Sequence, residues 1–171
     1  MNNEFVQVCV DDGTIAAGDP WEVMEPVLWS ANIYDGPEQY EISLSGFSIP
    51  QRLVYALMWY RIEVNNGGHD QFYFNSTGIV WKDALNAFEA LELPEFANIL
   101  RGSTERLGGS PSLDRQARNE QLESIEPDFD DLDEAFYEAE KRMDLDHRIM
   151  SFIRARPSAF YFVGEVRKPA D

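Results

Sequence analysis

From Leu53 to Tyr60 the chain runs eight consecutive apolar residues, and over 51–63 only Gln51, Arg52, Arg61 and Glu63 break the apolar pattern. Ser48-Ile49-Pro50 ahead of it reads as a helix start, and Asn65-Asn66-Gly67-Gly68 behind it as a stop. A helix that is apolar on almost every side has no face to give to water, so it must be the central element of a fold. It is far short of the ~18 apolar residues that suggest a membrane span. A central helix needs apolar partners, and 171 residues at 44% hydrophobic and 13% aromatic supply them. A chain of this length buries roughly two-thirds of its unfolded surface.

The partners read as helices. Asp19-Pro20-Trp21-Glu22 is a capped start, with the helix running to about Asn32 and ending before Asp35-Gly36-Pro37. A short helix is expected over Asp70–Asn75, ending at Gly78. Val80–Leu91 carries Trp81, Leu85, Phe88 and Leu91 on one stripe. Pro94 opens a helix ended by Gly108-Gly109, and Ser110-Pro111 opens another, to about Ser124. Asp130 or Asp131 caps a helix bearing Leu132, Phe136, Ala139 and Met143, and a last one runs from about Asp144 to Ala155. Val6–Val10 and Tyr161–Val166 have strand character and can pair. The expected fold is mainly α: a single compact multi-helix domain over 1–171, with a minor pair of short strands from the termini. The Gly-Gly pairs punctuate elements and do not divide domains.

Charge constrains function. Asp plus Glu total 31 against 14 Lys plus Arg, a net charge of -17. Direct nucleic-acid binding is excluded for want of a basic face, and anionic membranes repel such a chain. A basic partner is attracted. The acids are also concentrated. Residues 1–50 hold nine acids and no Lys or Arg, among them Asp11, Asp12, Asp19, Glu22, Glu25, Asp35, Glu38 and Glu41. Residues 120–140 hold ten and again no base: Glu120, Glu123, Glu126, Asp128, Asp130, Asp131, Asp133, Glu134, Glu138 and Glu140. Asp131, Glu134 and Glu138 recur at helical spacing, where like charges repel by a few tenths of a kcal/mol per pair. These two arrays are the candidate partner-binding residues. At one charge per ~1.7 Å of duplex, the net charge equals roughly 29 Å of DNA. Any solvated acidic face shares this property, and adaptation to high salt also fits a chain with three Lys. The sign reverses over 147–168, with Arg148, Arg154, Arg156, Arg167 and Lys168 against Glu165. That stretch either pairs with the chain's own acids or packs near a homodimer contact.

Other chemistry is sparse. Cys9 is the only cysteine, so no internal disulfide or cysteine-rich zinc site can form. His69 and His147 match no metal spacing and read as a turn and a surface histidine. Phosphate loops and nucleophile elbows are missing. Met1–Val10 lacks the basic start of a secretory signal, which makes the expected compartment cytoplasmic. Asn65–Gly78 is the densest polar and aromatic cluster. It is either a pocket wall or a helix joint, and the joint is the better reading.

The stretch Arg52–Gly78, with Glu63-Val64-Asn65-Asn66-Gly67-Gly68, Gln71-Phe72-Tyr73-Phe74-Asn75-Ser76 and Gly78, resembles the bacterial DNA-mimic protein family founded on a nineteen-kilodalton acidic protein. Phe129–Tyr137, the length and the acidity fit too, and the resemblance covers about 20–163. It implies a mostly helical fold with duplex-like surface charge. It also implies a partner, a helix-turn-helix transcription factor acting as a repressor, whose DNA-binding face the mimic occupies. No enzyme activity and no cofactor are expected. Three alternatives stay open: an acidic immunity or adaptor protein blocking a basic toxin or nuclease, a metal-assisted hydrolase using His69, Asp70 and Glu63, and general halophilic acidity.

Overall fold

The computed structural model describes residues 5–168. Glu4, one of the acids of the first fifty residues, lies outside them. Nine α-helices and one two-stranded ribbon are found among the described residues. The chain runs β1 (Phe5–Val10), α1 (Asp12–Ala17), α2 (Pro20–Ser30), α3 (Pro37–Leu44) and α4 (Ile49–Phe74). A 3-10 turn over Ser76–Val80 leads to α5 (Trp81–Ala90), α6 (Pro94–Arg106), α7 (Arg115–Ile125), α8 (Asp130–Arg142), α9 (Leu145–Arg154) and β2 (Phe162–Arg167). The strands pair antiparallel, with Val10 opposite Phe162 and Phe5 opposite Arg167. The mainly α fold with a ribbon of the two ends is the one the sequence predicts.

α4 is the hub, in contact with α2, α5, α7 and α8. Ser48 starts it with a reciprocal capping box to Gln51. Val54, Tyr55, Ala56, Leu57, Met58, Tyr60 and Val64 are then buried in succession, as the all-round apolar pattern requires. Tyr60 centres the core: the rings of His69, Phe72, Phe88 and Phe136 surround it at 5.0–5.6 Å. The predicted stop at Asn65–Gly68 is a kink at which Gly67 and Gly68 leave helical geometry, and the short second helical segment beyond it runs to Phe74, close to the expected Asp70–Asn75. Gly68 has φ +70°, and a Cβ there would collide with the carboxylate of Asp133 on α8.

Two starts differ from expectation. α7 begins at Arg115, not Ser110-Pro111, because the Asp114 side chain accepts from the Ala117 amide at 2.9 Å. Pro111 instead offers its carbonyl to the Trp81 indole at 3.0 Å. α8 is preceded by Phe129, and Asp130 is its first residue. Phe129 is buried against His69 and Tyr73, so the chain enters α8 from the core. His69 is not a turn histidine at the surface; it is fully buried, whereas His147 is exposed as expected.

Candidate functional site

The polar motif after the central helix is consumed by internal bonding. Glu63 lies buried and accepts from Gln71 Nε2 at 2.8 Å, Asn75 Nδ2 at 3.0 Å and Thr77 Oγ1 at 2.8 Å. Arg118 of α7 is also fully buried, and it forms no ion pair with a carboxylate among the described residues. It donates to the carbonyls of Tyr73 at 2.6 Å and of Asn75 and Ser112 at 2.7 Å, and burial pulls its pKa down to about 10. A Cβ on Gly78 would strike this guanidinium. The joint reading of 65–78 is thus the one the structure supports. Its bonds lock α7 to the distal half of α4.

α8 is locked from the other side. Asp133 accepts from the His69 amide at 2.9 Å and from the imidazole Nδ1, while Nε2 meets the Tyr60 hydroxyl at 2.7 Å. Burial pushes the Tyr60 phenol far above its ordinary range. Glu140 binds Arg61 and the Asn65 amide at 2.7 Å. Asp133 and Glu140 therefore face inward, and both are only partly accessible.

The remaining acids of this array are exposed. Asp130, Glu134 and Glu138, four residues apart, form the outer row of α8. Glu120, Glu123 and Glu126 lie exposed on and just after α7, and Asp128 in the connection. Among the described residues, no Lys or Arg ion-pairs with Glu120, Glu123, Glu126, Asp128, Asp130 or Glu134. Arg106 grips Asp131 and holds its carboxyl below the usual range, and Lys141 does the same for Glu138. Asp70 joins this surface and was not among the residues singled out as partner-binding. Partial burial, then the charges of Asp133, Asp130 and Asp128, push its carboxyl above the ordinary range. Its sequence neighbours gave no sign of this, because those acids lie about sixty residues away along the chain.

The acids of the first fifty residues have more local work. Asp11 and Asp19 cap α1 and α2, accepting from the Thr14 amide at 3.0 Å and the Trp21 amide at 2.8 Å. The capping bonds hold Asp11 below the usual carboxylate range. Glu22 and Glu38 sit exposed in first helical turns, where the helix dipole favours them. Asp12 accepts from Tyr161, and Asp35 from Asn32 at 2.8 Å. Glu41 is forked by Arg52, which also binds Asp83. Glu25 is partly buried and pushed up by that burial and by Glu22. α2 packs on α4, the ribbon and α9, and α1 on α2, β1 and α9, while α7 packs on α4 and α8 on α4 and α6. In the basic stretch, Arg148 donates to the Leu91 carbonyl at 2.9 Å, and Arg156 lies 4.1 Å over the Phe152 ring. These two cations thus serve backbone and ring contacts.

Chemically, the α7–α8 surface is a helical array of exposed carboxylates. Residues 45–156 match the model of the DMP19-like protein family. The match spans well over half of the chain, from α4 through α9, so the protein belongs to the DMP19-like family, a family of DNA mimics. Comparison with curated proteins and with solved structures returned no match. No helix among the described residues is long and apolar enough to cross a membrane.

Proposed function

We propose that this protein is a DNA mimic whose carboxylates occupy the DNA-binding face of a helix-turn-helix repressor and keep it off its operator. The observation that carries the reading is the run of exposed acids on α7, α8 and Asp70, seven of which form no ion pair with Lys or Arg among the described residues. Leaving them unpaired costs stability through like-charge repulsion, a cost that a cationic partner relieves. The exposed acids of α1–α3 extend the field. Steering by such a field is fast and salt-dependent, and release of the operator is competition for one surface. The protein acts by occupancy, without a cofactor and without catalysis, in the compartment that holds the repressor. A second copy packed through the basic 147–168 stretch would lengthen the array.

The test is affinity capture from the host lysate with salt-step elution, followed by competition with the captured regulator's operator duplex. A regulator released at moderate salt and displaced by its operator is the expected result. Reversing Glu123, Glu126, Asp130 and Glu134 to Lys should abolish the capture. Unchanged binding by that variant overturns mimicry, and capture of a toxin or nuclease instead supports an immunity protein.

A further inference from the structure

Charge alone is a poor discriminator among basic proteins. The acidic surface is interrupted by exposed apolar side chains, Ile125 at the end of α7 and Phe74 at the end of α4, and the second of these lines a groove. Between the distal half of α4 and α7 lies a groove of about 560 Å³, lined by Asp70, Gln71, Phe74, Asn75, Leu122 and Glu123. Phe72 and Tyr73 are fully buried, but Phe74 is 54% exposed. Its ring is held in place: the Arg115 guanidinium lies 5.6 Å from the ring centre and donates to the Phe74 carbonyl at 3.1 Å. Leu122 forms the facing wall and packs partly on the core. Among the described residues neither Asp70 nor Glu123, which flank this floor, forms an ion pair with Lys or Arg, and Asp70 lies in the field of Asp133, Asp130 and Asp128. A fixed apolar floor between unpaired carboxylates is complementary to an apolar side chain set between cations.

We propose that this groove is the specificity element of the partner interface, receiving one large apolar side chain flanked by Lys or Arg on a basic segment of the partner. The proposal rests on the mimicry reading, and its test separates the two. Two synthetic peptides of equal positive charge are titrated into the full chain, one with Leu between its arginines and the other with Ala there. Fluorescence anisotropy is read at low and at physiological salt. The Leu peptide should bind about tenfold more tightly, since it buries extra apolar surface. That ratio should persist while both affinities fall with salt. Phe74→Ser should bring the ratio within about twofold and leave the Ala peptide unaffected. Ile42→Ser, an exposed apolar site on α3, should leave the ratio intact. In the unsubstituted protein, amide shifts on adding the Leu peptide should centre on Gln71, Phe74 and Leu122. Equal, salt-sensitive binding of both peptides overturns the groove and leaves mimicry standing. A ratio that survives Phe74→Ser, or shifts centred elsewhere, also overturns the groove. Binding of neither peptide at low salt overturns both readings.

Discussion

At the scale of single residues, the acidic surface is held at a cost to stability. Asp70 shows the sign of the effect. Its carboxyl is pushed up, first by burial and then by neighbouring carboxylates. A carboxylate whose folded-state pKa is raised weakens the fold when ionised. The penalty is full above that raised pKa and vanishes below the unfolded value near 3.9. Asp70→Asn should therefore melt higher than the parent protein at neutral pH, with the gain shrinking as pH falls through the titration of Asp70. Paired thermal melts across pH 3–7 check this. A variant that melts lower at pH 7 would show that Asp70 serves the fold rather than the surface. Asp131 and Glu138 behave oppositely, because Arg106 and Lys141 hold them down.

At the scale of elements, the kink in α4 sets where α8 sits. Gly68 is left-handed, and Asp133 lies where its Cβ would be. Gly68→Ala must strain the backbone at about 1–3 kcal/mol and also push Asp133 off His69. The expected loss is in that range or above it, measured by urea unfolding. Gly46→Ala, with nothing within 4 Å of the added Cβ, should stay within about 0.5 kcal/mol of the parent. The elements that were legible from sequence carry local signals: the Ser48 box of α4, Pro94 of α6 and Asp144 before α9. α1 and α3, six and eight residues long, are too short for a periodic stripe. The start of α7 was misplaced because Ser110-Pro111 has the same local chemistry as a cap. The internal bonding of His69, Asp133 and Glu140 is not legible in the sequence for another reason. Their partners stand on other elements, and spacing along one helix does not report which carboxylate faces a buried imidazole or Arg61.

At the scale of the whole molecule, a net charge of -17 surrounds a core of well-buried aromatic and aliphatic side chains. Two consequences of salt then run in opposite directions. Raising ionic strength from about 0.01 M to about 0.15 M shortens the Debye length from ~30 Å to ~8 Å and screens repulsion between the exposed acids. The melting temperature should rise over that interval. The buried core does not depend on screening. The protein should therefore stay cooperatively folded at the low-salt end, whereas a chain acidic only through halophilic adaptation should unfold there. Affinity for a basic partner should fall over the same interval, because the same screening weakens attraction between the surfaces. Differential scanning calorimetry and partner titration across one salt series read both slopes. A melting temperature that falls with salt would mean that ion pairs such as Arg52–Glu41 and Arg61–Glu140 outweigh the unpaired acids of α7 and α8. The carboxylate surface would then be a product of the fold's own bonding, and an affinity insensitive to salt would take away its role in recognition.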